Sequence, residues 1–321
     1  MSNLKKIIIG IRDSKLSKAQ SQIFIKEARK IENIKNNYEF ELKEIKTTGD
    51  IHNTHRLDQI GGKGLFVKEI EQQIISEEID LGIHSMKDVP AVEVSKQLEI
   101  SCWMTRYDSH DALISNSGQY IADLPPGAII GTSSIRRRSQ VLGLRKDLKI
   151  KLLRGNVDTR IKKLHNNEYD AIILSLAGLQ RLGLKSMATE VLNFKNFLPA
   201  AGQGAVGIQT KRNSPISNLF KQLNDERTQI ECMAERIILN SIKANCNSPV
   251  SVLAKIREEQ IKIDFEIMNH TGEILFKKSI DGDKSNFRKL SNLLAKEIKS
   301  TLSQQTINEL DVLKDDFNYT P

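Results

Sequence analysis

The sequence predicts an α/β protein of two doubly wound domains hinged around a cleft, followed by a small α+β third domain. Three observations carry that expectation. Short apolar runs recur along the chain, each ending in polar or basic residues and followed by a segment of helical spacing. Two small or polar segments, around 105–110 and 198–205, interrupt the alternation and read as crossings between two such domains. Beyond residue 226 the pattern changes to a helix, alternating strands and a closing helix. The boundaries expected are 1–103 with 204–221, then 109–198, then 226–321.

Ile7-Ile8-Ile9-Gly10-Ile11 reads as a buried first strand. A helix over 17–31 follows, with Ala19, Ile23, Phe24 and Ala28 on its apolar face. Phe40 to Ile45 alternates as a second strand, and 51–60 is a polar loop. A helix carrying Val67, Ile70, Ile74 and Ile75 leads to a third strand through Leu81 and Ile83. The second domain repeats the scheme with strands expected at 112–115, 129–131, 149–153 and 171–174. Val206 and Ile208 return to complete the first sheet. A helix over 226–242, strands at 250–254, 261–267 and 274–276, and a helix over 286–302 form the third domain.

The 321 residues are 39% hydrophobic and only 5% aromatic, so aliphatic side chains dominate the core. The net charge of +8 suggests nucleic acid, anionic lipid or a polyanionic small molecule as partner. No run reaches membrane-spanning length, and the N-terminal stretch has no signal-peptide pattern, so a cytoplasmic protein without membrane attachment is expected. Cys102, Cys232 and Cys246 are odd in number and widely spaced, which argues against a disulfide framework or a zinc site. No metal is expected.

The chemistry concentrates at strand ends. Asp80-Leu81-Gly82-Ile83-His84-Ser85-Met86-Lys87-Asp88-Val89-Pro90 begins as a strand and ends in an imidazole, a hydroxyl, an ammonium and a carboxylate. Ligands of open α/β sheets bind beyond the carboxyl ends of strands. Arg12, Arg136, Arg137, Arg154, Arg160 and Arg181 all fall at or near strand-to-helix turns, where backbone donors favour anions. Arginine pairs with carboxylate or phosphate through a planar fork, so this set implies a small ligand bearing several anionic groups. Aromatic residues for base stacking are scarce. Asp88, among these cations, can stabilise a developing positive charge or move a proton. Cys246, in a loop, is open to a covalent role, although an inert thiol is the commoner case.

Five motifs, in order, resemble the hydroxymethylbilane synthase (porphobilinogen deaminase) family. They are Gly61-Gly62-Lys63-Gly64-Leu65-Phe66, His84-Ser85-Met86-Lys87-Asp88-Val89-Pro90, Gly131-Thr132-Ser133-Ser134-Ile135-Arg136-Arg137, Leu153-Arg154-Gly155-Asn156-Val157-Asp158-Thr159-Arg160 and Pro199-Ala200-Ala201-Gly202-Gln203-Gly204. The resemblance spans nearly the whole chain. It implies two periplasmic-binding-protein-like domains with a hinged cleft, plus the third domain. It implies stepwise condensation of four porphobilinogen molecules with loss of ammonia, on a dipyrromethane cofactor held through a thioether at Cys246, and release of linear hydroxymethylbilane by hydrolysis. By the match, Asp88 is catalytic. Lys87, Asp88, Ser133, Ser134, Arg136, Arg137, Arg154 and Arg160 hold the cofactor. Arg12, Ser14, Lys63, Ser85, Arg154, Arg160, Arg181 and Gln203 bind substrate, with Lys63 and the loop before it as a lid. A monomer that binds no nucleic acid is expected.

The chain departs from the family pattern at Ile11, at Lys15-Leu16-Ser17 and at Ala244-Asn245, which stand where two glycines usually precede the cysteine. Two other readings stay open: a two-lobed binding protein without catalysis, and a nucleic-acid-binding protein.

Overall fold

The computed structural model describes residues 4–48, 64, 66–91, 95–244 and 248–310. Lys63, the lid loop before it and Cys246 lie outside the described residues. The chain divides into two compact units. One is Met1–Tyr107 with Ala205–Gln229, and the other is Asp108–Gly204 with Ile230–Pro321.

Among the described residues the first stretch runs β1 (Lys5–Arg12), α1 (Lys15–Ala28), α2 (Glu32–Asn37), β2 (Tyr38–Ile45), α3 (Lys68–Ile75), β3 (Leu81–Ser85) and β4 (Leu98–Met104). The middle stretch holds β5 (Asp111–Ser115), β6 (Ile129–Gly131), α4 (Ile135–Leu144), β7 (Lys149–Lys151), α5 (Val157–His165), β8 (Ala171–Ser175), α6 (Leu176–Arg181) and β9 (Glu190–Leu192). The last holds β10 (Val206–Lys211), α7 (Pro215–Leu219), α8 (Glu226–Ser241), β11 (Val250–Arg257), β12 (Gln260–Met268), β13 (Ile274–Asp283), α9 (Phe287–Thr301) and α10 (Gln304–Leu310).

The sheet of the first unit has the order β2-β1-β3-β10-β4. β1 lies parallel to β2 and β3, whereas β10 runs antiparallel to β3 and β4. Helices link the parallel strands, because a chain must cross back to re-enter a sheet in the same direction. β10 arrives from an irregular segment without such a crossover, and it enters from the opposite end. The doubly wound sheet is therefore mixed, with parallel strands and one returning antiparallel strand. Ile7, Ile9 and Ile11 are fully buried on one face against Phe24 of α1 and Phe220. Each such side chain removed from water is worth about 1.5–3 kcal/mol. Ile70 and Ile74 of α3 join Ile45 and Ile79 in a second cluster.

The second unit holds a sheet ordered β7-β6-β8-β5-β9. β6 is parallel to β7 and β8, and β5 is antiparallel to β8 and β9. Leu113 and Ile173 belong to one core cluster, and Ala112, Ile114, Ile172 and Leu174 to another. Strands covered on both faces read as continuous apolar runs, as β5 and β8 do. The antiparallel sheet β11-β12-β13 lies in the same unit. Its core includes Ala234 and Ile238 of α8 and Leu294 and Ile298 of α9.

α4 meets the turn between β12 and β13 through two glycines. A Cβ on Gly272, whose φ is +88°, would lie 2.2 Å from the Gly143 nitrogen, and a Cβ on Gly143 would lie 2.8 Å from the Gly272 oxygen. Only residues without side chains permit that approach.

Helix α1 starts earlier than its apolar spacing predicts. Ser14 caps it, its Oγ accepting from the Ser17 N–H at 3.1 Å. The short elements α2 and β9 have no periodic signal long enough to read from sequence. At the end of α8 the left-handed residue is Lys243, with φ 54°, and the Ala244 N–H donates to the Leu239 carbonyl at 3.0 Å. Ala244 is buried in the third core without positive φ, so the missing first glycine imposes no strain there.

Candidate functional site

In the first unit, the carboxyl ends of β1 and β3 lie side by side. The parallel register pairs Ile9 with Leu81 and Gly10 with Gly82, which brings Arg12 level with His84. Arg12 stacks on Phe66, its guanidinium carbon 4.1 Å from the ring centroid. β3 gives way to a single 3₁₀ turn, Met86–Asp88. Met86 anchors that turn. Its N–H donates to the Ala205 carbonyl at 3.0 Å, and its side chain is buried against Gly207, where a Cβ would lie 2.3 Å from the sulfur. Lys87 and Asp88 follow, half-buried, on this fixed turn. Gln20, buried on α1, donates to Ser85 Oγ at 2.8 Å, which leaves the Ser85 hydroxyl proton to point elsewhere.

His84 belongs to the opposite face of β3 and is nearly fully buried. Burial, with a smaller push from Arg12, lowers its pKa to about 4, so the ring is neutral at pH 7. Gln209 on β10 donates to Glu71 of α3 at 2.8 Å, and burial raises the Glu71 pKa.

In the second unit, the carboxyl ends of β7, β6 and β8 are adjacent, and each leads to candidate residues. Ser133 and Ser134 follow β6, and Ser134 Oγ accepts from the Arg137 N–H at 3.4 Å as the cap of α4. Arg154 follows β7. Arg160 on α5 folds back to donate from Nε to the Gly155 carbonyl at 2.7 Å. Arg181, at the end of α6 beyond β8, donates to the Gly204 carbonyl at 2.7 Å. Arg154, Arg160 and Arg181 are half-buried.

Arg136 and Arg137 are more deeply placed, at 5% and 6% exposure, and share the fully buried Asp111. Arg137 donates from Nε and Nη2 to Asp111 Oδ1 at 3.0 and 2.6 Å, and from Nη1 to the Ile173 carbonyl at 2.9 Å. Arg136 Nη2 lies 2.8 Å from Asp111 Oδ2, and its Nη1 donates to Gln140 Oε1 and the Leu198 carbonyl, both at 2.9 Å. Burial pulls the Arg136 pKa down, Asp111 opposes that, and the neighbouring Arg137 adds to it. Gln203 is also interior, its amide donating to the Ser109 carbonyl at 2.8 Å and to Asp111 Oδ1 at 3.0 Å.

Thus Arg12, Ser85, Lys87 and Asp88 share one strand-end cluster of the first unit, with Ser14 capping the adjacent helix. Ser133, Ser134, Arg136, Arg137, Arg154 and Arg181 gather at the strand ends of the second, where Arg160 turns back on its own loop. The anion expected among the cations of α4 is supplied in part by the chain itself. Asp111, Gln140 and Glu235 escaped the sequence reading. The Glu235 carboxylate accepts from the Gly202 N–H at 2.6 Å and the Ala254 N–H at 2.9 Å, tying the 199–204 segment to β11. The one signal for Asp111 is an acid opening an apolar run, which does not reveal a partner 26 residues away.

Residues 7–217 match the family "Porphobilinogen deaminase, dipyromethane cofactor binding domain", and residues 229–300 match the porphobilinogen deaminase C-terminal domain. The chain is 43% identical over 282 residues to a porphobilinogen deaminase of Geobacillus sp. (strain WCH70), covering 87% of this chain and 89% of that one. It is 42% identical over 283 residues to the Bacillus subtilis (strain 168) porphobilinogen deaminase, again covering 87% and 89%.

Proposed function

Since this chain belongs to the porphobilinogen deaminase family, we propose that Asp88 is its catalytic carboxylate and that the arginine-rich strand ends hold its carboxylated pyrroles. The family's activity is hydroxymethylbilane synthase, a transferase of tetrapyrrole biosynthesis that condenses four porphobilinogen molecules with loss of ammonia and releases linear hydroxymethylbilane. Its cofactor is dipyrromethane. When bound, the dipyrromethane supplies the pyrrole carbon to which new units are joined.

The residues present fit such a group. Arg136 Nε is a buried donor with no hydrogen-bond partner among the described residues. An unmatched buried donor costs about 1–3 kcal/mol, which an acetate or propionate oxygen would relieve. Arg136, Arg137, Arg154 and Arg160 would bind cofactor carboxylates, with Ser133, Ser134 and Lys87 as further donors, and Cys246 would hold the group through a thioether. Arg12, Ser14, Lys63, Ser85, Arg154, Arg160, Arg181 and Gln203 would bind the substrate. Phe66 limits the freedom of Arg12 by covering one face of its guanidinium.

The observation that carries the role of Asp88 is its turn. The buried Met86 holds the turn, leaving a half-buried carboxylate next to Lys87. There Asp88 would accept from pyrrole N–H groups, stabilise positive charge as ammonia departs, and take up or deliver a proton. Asp88→Ala should lower turnover at least about 100-fold, the scale of a general acid–base group, with an unchanged unfolding midpoint. Near-normal turnover would end the assignment. For the thioether, the intact mass of the wild type should exceed the sequence mass by two linked pyrroles, and Cys246→Ala should lack that excess.

The same reading covers organisation. The domains would be 1–103 with 204–221, 109–198 and 226–321, in a cytoplasmic monomer that binds no nucleic acid. No helix of the described residues is long and apolar enough to cross a membrane. Salt-sensitive oligonucleotide binding would count against this reading.

A further inference from the structure

We propose that Asp111 is a positioning residue that aims the Arg136 and Arg137 guanidiniums at the cofactor carboxylates, an inference that rests on the function proposed above. β5 runs antiparallel to β8, pairing Asp111 with Ser175. That pairing sets the first side chain of β5 at the carboxyl end of β8, among the turns that carry the arginines. Its carboxylate is fully buried and acts on both cations at once. One oxygen takes the Nε and Nη2 donors of Arg137, and the other faces Nη2 of Arg136. Two donors on one oxygen fix the plane of the Arg137 fork, and the ion pair at the other oxygen draws Arg136 to the same carboxylate.

The arrangement also selects which donors remain for a ligand. Both Nη1 contacts of Arg136 go to Gln140 and Leu198, one Nη2 contact goes to Asp111, and Nε is left buried without a partner among the described residues. Arg137 has its Nε–Nη2 edge committed to Asp111. The pair therefore presents a particular edge of Arg136, not two mobile cations. Charge follows the same logic. Two buried guanidiniums at the head of a helix repel each other and oppose its dipole. One carboxylate leaves the pair with a single net positive charge, enough to attract an acetate or propionate while keeping both side chains inside. Gln203 holds the same Asp111 oxygen from the 199–204 segment, so the carboxylate is itself braced.

The test compares wild type, Asp111→Asn and Asp111→Glu. The readouts are intact mass, as the fraction carrying two pyrrole units, and folded fraction by circular dichroism and thermal unfolding. Asn keeps the shape and removes the charge; Glu keeps the charge and displaces it. The expected order of loading is wild type, then Glu, then Asn, with Asn at least about 10-fold less loaded at equal folded fraction, as fits the loss of a charge-assisted fork. Should Asn fail to fold, Glu alone decides: reduced loading near the wild-type midpoint supports the aiming role. Full loading of every folded variant overturns it, as does loading that falls only as far as the folded fraction falls. A wild type that carries no pyrroles and takes none from porphobilinogen overturns the proposed function and this inference together. A loaded wild type beside an equally loaded Asn variant overturns only the role of Asp111.

Discussion

The two strand-end clusters hold their polar residues by opposite means. In the first unit, the Asp88 turn is fixed by an apolar clamp, with Met86 buried against Gly207 and one backbone hydrogen bond to Ala205. In the second, Arg136 and Arg137 are fixed by an ionic one, Asp111 with Gln203, Gln140 and two backbone carbonyls. A carboxylate with the role proposed for Asp88 is best set on a support that does not itself titrate. Two buried cations cannot be supported that way, because desolvating them unpaired is prohibitive.

Removing one partner from the ionic clamp should produce the largest effect. Arg137→Met leaves the buried Asp111 short of its main partner and should cost about 3–5 kcal/mol, read by denaturant unfolding. A cost below about 1 kcal/mol would mean the pair is held chiefly by packing. Breaking the apolar clamp comes next. Met86→Ala should cost about 2–4 kcal/mol and lower turnover together, since the same side chain seats the turn. Lost stability with intact turnover would separate the clamp from the carboxylate.

The pH response sharpens the contrast further. His84 is buried neutral, with a folded pKa near 4 against an ordinary 6.5. The unfolded chain binds the proton more readily, so His84 should erode stability as pH falls from about 6.5 to about 4, by up to about 3 kcal/mol. Glu71, raised by burial, pulls the other way, favouring the folded state at low pH. The measurement is therefore the difference in pH slope between wild type and His84→Gln; equal slopes would show that His84 does not control it. The smallest effect belongs to the surface. Lys6→Gln, which removes the exposed pair with Glu41, should leave the unfolding midpoint in place.

Much of this was legible from residue spacing. Ile7-Ile8-Ile9-Gly10-Ile11 is a continuous apolar run because β1 is covered on both faces, Ile7, Ile9 and Ile11 in one cluster and Ile8 against the other, and the 3.6-residue spacing through Ile70 and Ile74 marks α3. Polar and basic turns after the apolar runs located the strand ends, but the cap at Ser14 went unread, so α1 starts before its apolar spacing predicts. Strand direction was not legible. Nothing in Val206 to Lys211 says that β10 runs against its neighbours, because direction depends on how the chain arrives. Nor was the internal use of polar groups. Gln203 and Arg137 look like ligand residues in a one-dimensional string, yet both meet Asp111, which sits 92 and 26 residues away.

The contact between Gly143 and Gly272 has a consequence for how this chain can drift. A misfit between two side chains is often repaired by shrinking one of them. Here both residues have already shrunk as far as an amino acid can, so a change at either position has no compensating change at the other. The spacing between α4 and the third sheet is set by bare backbone, and the pair is closed to substitution from both sides.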